Sequence, residues 1–195
     1  MRFLPGLICL LPLLSPLAHA ELIDDVNDRG ELRIALEANT PPFNFKDDGK
    51  LTGFEVELGQ LLANELDVRA DFVVTDSADL LTGVESGKYD VAINHIALTP
   101  ELKDRFDFSE PYSYTDAQLI AQKEPQPRPM VLVQSLQEEA PKVGPKVSLA
   151  IPFQKGNPAF HASLENALQR IKADGRLEAL SQKWLGADTS VLPKP

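Results

Sequence analysis

Cysteine is nearly absent from this 195-residue chain: Cys9 is its one example, and it lies within the first twenty residues. From residue 21 onward the sequence therefore has no means of forming a disulfide, a thiol nucleophile or a thiolate metal site. Histidine is scarce as well, with three residues in all. His95 has no second histidine at helical spacing and His161 belongs to a distant helical stretch, so metal ligation has no motif behind it. No Gly-x-Ser-x-Gly, glycine-rich phosphate loop or His-Glu-x-x-His run occurs, which removes the common signatures of hydrolases, nucleotide binders and zinc proteases. Positive charge is in deficit, 19 Lys and Arg against 29 Asp and Glu for a net charge of -10. Nucleic acid and anionic membrane are thus poor partners. Past residue 20 no apolar run approaches the roughly 20 residues that span a bilayer. There is no internal repeat, and the proline-rich tract described below is the one stretch of low complexity.

Residues 1–20 read as a secretory signal. Arg2 supplies the positive start, residues 4–17 the apolar segment, and Ala18-His19-Ala20 the small-x-small cleavage site. Pro5, Pro12 and Pro16 break the run, which is in any case too short for a membrane anchor. Ile8 stands before Cys9 where lipid attachment wants a small residue, and Cys9 is inside the apolar segment, so a lipoprotein is not expected. The mature chain is expected to begin at Glu21, to be soluble after export and, with Arg2 gone, to carry a net charge of -11. About 175 residues remain, enough for one domain with a core and short for two.

Apolar periodicity gives the elements. A strand is expected over 32–36, broken by Asn39-Thr40-Pro41-Pro42. Residues 43–45, the Asp47-Asp48-Gly49 turn and 51–53 form a small hairpin. An amphipathic helix follows over 54–66, with Val56, Leu58, Leu61, Leu62 and Leu66 on one side. A strand over 70–74 leads to a helix capped by Asp76 or Ser77 and ended by Gly87. Residues 89–94 make a nearly continuous apolar strand, as when both faces are covered. One helical turn after Thr99-Pro100 and a Phe106-Asp107-Phe108 strand come next. Further strands are expected over 117–121 and 147–152. Between them lie a stiff linker with Pro125, Pro127 and Pro129, a short strand over 130–133, a short helix over 135–140 with a Ser135/Glu138 capping-box spacing, and a second broken connector. Helices over 157–173 and 176–185 close the sequence. The β-α-β-α-β order implies a mostly parallel sheet with right-handed crossovers.

Three blocks carry a resemblance. The first is 32–58, with its Pro-Pro-Phe turn and Gly53-Phe54-Glu55-Val56-Glu57-Leu58. The second runs from Gly87-Lys88-Tyr89-Asp90-Val91 to Phe108-Ser109-Glu110-Pro111-Tyr112. The third runs from Ala150-Ile151-Pro152-Phe153-Gln154-Lys155-Gly156-Asn157-Pro158 to Lys183-Trp184-Leu185-Gly186. In this order they resemble the bacterial extracellular solute-binding proteins of family 3, the polar amino-acid type. The resemblance implies a periplasmic-binding-protein-like α/β lobe, three-layer α/β/α, built from 21–122 and 147–186 and followed by a tail over 187–195. Family members carry a second lobe where this chain has a connector over 123–146. Residues 122–146 number only 25, below the roughly 50 of an independent domain. Ligand trapping by hinge closure between two lobes is then not expected.

The resemblance also maps a half-site: Glu37, Thr40, Ser77, Asn94, His95 and Thr99. Glu37 keeps the family's acidic residue at the end of the first strand. Where the family places an arginine on the α-carboxylate this chain has Leu102, with Lys103 and Arg105 nearby but turned elsewhere. Small hydroxyl residues correspond to His95 and Ala97, and the usual stacking aromatics to Thr40 and Ser77. His95 is read equally well as a pH-sensitive ligand contact and as a ring filling space left by Ser77 and Ala97. Glu37 with His95 could form an acid/base pair, against an inherited pocket carboxylate. Phe43, Phe45, Phe106 and Phe108 are read as core, Trp184 as packed on the lobe, and the pairs Asp24-Asp25, Asp47-Asp48 and Glu138-Glu139 as solvated surface.

The expected function is a periplasmic solute-binding component of an amino-acid-type ABC transport system. Its ligand is a small polar solute, an amino acid or amine, held weakly or atypically. It needs no cofactor and no metal, is not an enzyme, and has an ABC permease or another periplasmic protein as partner. The alternative is an accessory, interaction or sensor protein that offers the uncovered cleft face to a partner; a small lyase is the third reading.

Overall fold

The computed structural model describes residues 21–116 and 146–192. The leader, the strand over 117–121, the proline linker, the strand over 130–133 and the helix over 135–140 lie outside the described residues.

The apolar alternation at the start of the chain builds the centre of the lobe. Strand β1 (Glu31–Leu36) runs parallel to β5 (Arg69–Val74), paired from Glu31 with Arg69 to Leu36 with Val74. On its other side it is parallel to β6 (Val91–Ala92). Two antiparallel strands complete the sheet, β10 (Pro152–Gln154) beside β6 and β7 (Phe106–Phe108) beyond it, for an order β5-β1-β6-β10-β7. The connections from β1 to β5 and from β5 to β6 carry helices α2 (Phe54–Glu65) and α3 (Ser77–Glu85), the expected crossovers.

The strands send alternate side chains to two faces. Leu32, Ile34, Val91, Ile93 and Phe153 enter the larger core with Phe54, Leu58 and Leu62 of α2. Helices α1 (Leu22–Arg29), α5 (Pro158–Ala173) and α6 (Arg176–Leu185) add Val26, Phe160, Leu164, Leu168, Ile171 and Leu177 to the same face. Ala35 and Ala92 turn the other way, to Leu80 and Val84 of α3 and to Phe106. The result is helix, sheet, helix, and Trp184 packs on the larger core with its ring 5.9 Å from that of Phe45.

Three differences from the sequence reading have local causes. Helix α1 is absent from the sequence reading; Asp24 and Asp25 are exposed as expected and occupy its first turn, where the helix dipole favours negative charge, while Leu22 and Val26 are buried. The run over 89–94 is buried throughout but contributes a ladder of two residues. The single strand over 147–152 is two: β9 (Lys146–Leu149) pairs with β8 (Ser113–Asp116), and only after Ala150-Ile151 does β10 enter the main sheet.

The hairpin β2 (Asn39–Thr40), β3 (Asn44–Asp47), β4 (Lys50–Thr52) sets the start of α2. The Pro42 and Phe43 carbonyls accept from the amides of Phe54 and Glu55 at 3.0 and 2.8 Å, satisfying helix donors that would otherwise lack partners. Gly53 makes this approach feasible, with φ at +126°. A Cβ there would press into the Phe43 carbonyl and stand 2.9 Å from the Pro42 oxygen. Gly53→Ala is expected to cost about 2–4 kcal/mol, backbone strain and overpacking together; a chemical unfolding curve reads the loss.

Candidate functional site

In open α/β sheets the loops at the carboxyl ends of the parallel strands are where ligands bind. Here that edge is made by the residues after β1, β5 and β6. Glu37 and Asn94 follow β1 and β6, and a pair of hydrogen bonds joins them. The Glu37 amide donates to Asn94 Oδ1 at 3.0 Å, and Asn94 Nδ2 donates to Glu37 Oε2 at 2.9 Å. Asn94 is 8 % exposed, so its amide group is a fixed part of the lobe, whereas Glu37 is half-buried.

His95 comes next with φ at +43°, a left-handed conformation that non-glycine residues adopt uncommonly. Its side chain is 11 % exposed, with the ring 5.6 Å from that of Phe43. Its Nδ1 stands 3.7 Å from Oε2 of Glu55, and its main-chain amide donates to Oε1 of the same carboxylate.

Glu55 is fully buried. Besides the His95 amide it accepts from Asn44 Nδ2 and, at 2.6 Å, from the Tyr112 hydroxyl. Asn44 Nδ2 also reaches Asn94 Oδ1 at 3.1 Å, which ties the buried carboxylate to the Glu37–Asn94 pair. Burial raises the Tyr112 phenol well above its ordinary range, and the Glu55 charge and hydrogen bond push it the same way. Tyr112 is therefore a permanent donor.

The expected site residues divide accordingly. Glu37, Asn94 and His95 are assembled into one bonded network. Thr40 is half-buried and its hydroxyl donates to Asn39 Oδ1 at 3.0 Å. Ser77 is exposed as the first residue of α3, and Asp76 supplies the cap, accepting from the Asp79 amide at 2.9 Å. Thr99 caps α4 (Pro100–Lys103), its hydroxyl accepting from the Leu102 amide at 3.3 Å. Leu102 is partly buried and packs against the smaller core.

The Glu37 side chain bonds Asn94, and the His95 main-chain amide bonds Glu55. Sequence reasoning missed Asn44, Glu55 and Tyr112. One signal for Glu55 was present, since it falls three residues before Leu58 and seven before Leu62, on the buried stripe of α2. Among the described residues no group of three His, Cys, Asp or Glu side chains is placed to hold a metal ion. What the edge offers is a half-buried carboxylate, amide and hydroxyl groups and an imidazole, all suited to hydrogen-bonding a small polar molecule.

The chain matches the sequence profile of the bacterial extracellular solute-binding proteins, family 3, over residues 32–187. It is 42% identical over 107 residues to the L-cystine-binding protein TcyJ of Escherichia coli K12, a match covering 54% of this chain and 40% of that protein. The chain thus spans less than half the length of this relative. By fold it is similar to the L-cystine solute receptor of Neisseria gonorrhoeae in its unliganded open conformation, with a TM-score of 0.70 and 24% identity over 89% of this chain and 100% of that one. It is also similar to a Phe-to-Trp mutant of the arginine-bound form of domain 1 from TmArgBP, with a TM-score of 0.59 and 25% identity over 77% of this chain and 98% of that one. Among the described residues no helix is long and apolar enough to cross a membrane.

Proposed function

We propose, from the premise that the chain belongs to the bacterial extracellular solute-binding proteins of family 3, that it is a periplasmic solute-binding component of an amino-acid-type ABC transport system with an atypical, amine-bearing ligand. The observation that carries this reading is the Glu37–Asn94 pair at the carboxyl edge of β1 and β6, a half-buried carboxylate oriented by a buried amide. A carboxylate in that place favours a protonated amine. Leu102, at the position where the resemblance expects an α-carboxylate-binding arginine, packs into the lobe and has no charge to offer. The edge therefore suits an amine better than a carboxylate.

A single lobe suffices for this role in the proposal. The arginine-bound domain 1 of TmArgBP, similar in fold to this chain, is itself one domain with its ligand. Binding rather than catalysis is proposed because relatives that the chain matches, TcyJ of Escherichia coli among them, are binding proteins. The permease of such a system, or another periplasmic protein, is the proposed partner.

A thermal-shift screen with putrescine, agmatine, L-arginine, L-cystine and small organic acids tests the proposal. A compound at 100 times its dissociation constant adds about 2.7 kcal/mol of stability. Amine-bearing compounds are expected to raise the melting temperature and organic acids to leave it unchanged. A flat screen on folded protein would contradict solute binding and favour the accessory reading.

A further inference from the structure

Glu55 is not among the six residues that the resemblance maps to a half-site, yet it is a buried carboxylate beside the ligand edge with three hydrogen-bond donors. It is the second residue of α2, where the helix dipole favours negative charge. Its two oxygens reach three separate segments. Oε1 accepts from the main-chain amide of His95, in the loop after β6, and from the hydroxyl of Tyr112, the residue before β8. Oε2 accepts from Asn44 of β3 and faces His95 Nδ1.

We infer that Glu55 is the positioning residue of the ligand edge, fixing the backbone at His95 and, through Asn44 and Asn94, the carboxylate of Glu37. The inference rests on the solute-binding reading for its consequence, and on geometry alone for its mechanism. At His95 a non-glycine residue is held at positive φ, a conformation that persists where surrounding contacts over-determine it; the amide bond to Glu55 is such a contact. Toward Glu37 the relay is continuous: Asn44 Nδ2 spans Glu55 Oε2 and Asn94 Oδ1, and Asn94 Oδ1 and Nδ2 grip the amide and the carboxylate of Glu37.

The three groups that hydrogen-bond Glu55 all donate to it. A carboxylate offers only acceptors, whereas glutamine replaces one oxygen with an NH2 donor. In one orientation that donor meets Asn44 Nδ2, and in the other it meets the His95 amide and the Tyr112 hydroxyl. Glu55→Gln keeps the shape and breaks the bond to Asn44 in the first case and those to His95 and Tyr112 in the second.

The test compares wild type, Glu55→Gln and Ile171→Val, the last a core truncation in α5 remote from the edge. Amide hydrogen exchange is measured by NMR, with L-arginine titrated by calorimetry. Glu55→Gln is expected to speed exchange of the His95 amide or, through Asn44 and Asn94, of the Glu37 amide at least tenfold while α5 amides such as Leu168 keep wild-type rates, and to weaken L-arginine at least tenfold. Ile171→Val is expected to leave both amides and L-arginine affinity near wild type. Unchanged exchange of both amides in Glu55→Gln would overturn the inference, and so would a uniform rise across the lobe, the mark of a purely structural role. Should Glu55→Gln fail to fold, Asn44→Ala cuts the relay and leaves the His95 bond. Weakened L-arginine with unchanged His95 exchange then supports the relay, and wild-type affinity refutes it. If wild type binds no L-arginine, the exchange comparison alone decides the role of Glu55, and the solute-binding reading is judged separately.

Discussion

Asp90→Ala is expected to lower the stability of the lobe by about 3 kcal/mol, the lower end of what breaking a buried ion pair costs. The Asp90 side chain is fully buried, and its partners come from two elements, α1 and β1. Its Oδ2 accepts from Nη2 of Arg29, the last residue of α1, at 2.6 Å and from the Arg33 amide of β1 at 2.8 Å. Its Oδ1 accepts from Arg33 Nη2 at 2.7 Å. The hydrogen bond to Asp90 raises the Arg33 guanidinium above its ordinary value, against the desolvation that opposes it. Alanine would leave a main-chain donor and two cations without their acceptor. The side chains of Arg29 and Arg33 are 30% and 26% exposed, so water can recover part of the loss, which is why the lower figure is expected. At this chain length the melting temperature should fall by about 6–12 °C. Glu85→Ala is the contrast. Its bridge to Arg105 is equally short at 2.7 Å but about half exposed on both sides, so water screens it and its removal is expected to leave the unfolding curve close to wild type. Equal losses from the two variants in urea unfolding would refute the difference in burial as the cause.

Leu102→Arg is expected to strengthen α-amino acids relative to their decarboxylated counterparts by about 10- to 150-fold. That is the 1.5–3 kcal/mol of a charge-assisted hydrogen bond expressed as an affinity ratio. The comparison is L-arginine against agmatine, which differ in the carboxylate. Leu102 lies in α4, whose start is fixed by Thr99, so the new guanidinium would project from a defined turn. Leu102 is only partly buried against the smaller core, and its replacement should leave the lobe folded. Calorimetric titration of both compounds against wild type and variant reads the ratio. A ratio unchanged by the substitution would show that the loss of this arginine is not what disfavours a carboxylate.

Most of the sheet was legible in the sequence because its strands are short apolar runs punctuated by Gly, Pro and Asn. The boundaries Pro158–Ala173 and Arg176–Leu185 were legible for the same reason, with Pro158, Gly175 and Gly186 marking the ends. Helix α1 was hidden by its shortness. Apolar pattern alone does not reveal an eight-residue helix with two buried positions, particularly one whose contacts are to distant residues, such as the Leu22 amide donating to Asn157 Oδ1 at 2.9 Å. The break between β9 and β10 was hidden too, since Val147 to Phe153 is apolar throughout apart from Ser148 and Pro152. Partner strands decide where such a run divides.

The site was half legible. Glu37, Asn94 and His95 end strands, and strand ends at a sheet's carboxyl edge are readable from order alone. Asn44, Glu55 and Tyr112 were not read as a unit, because they are scattered along the chain and meet only after the hairpin folds over α2. A carboxylate inside an apolar helical face was the available sign. The pairing of His95 with Glu55 could not follow from sequence, because it depends on the left-handed turn at His95.

The central claim is that the carboxyl edge of this one lobe binds a small amine-bearing solute. The most direct measurement is an NMR titration of isotope-labelled protein with agmatine, following backbone and side-chain amides residue by residue. The account predicts saturable shifts centred on Glu37, Asn94, His95 and Thr99, including the Asn94 side-chain amide, with α5 and α6 unmoved. Saturable shifts centred elsewhere, or none up to millimolar agmatine on a well-folded chain, would contradict it.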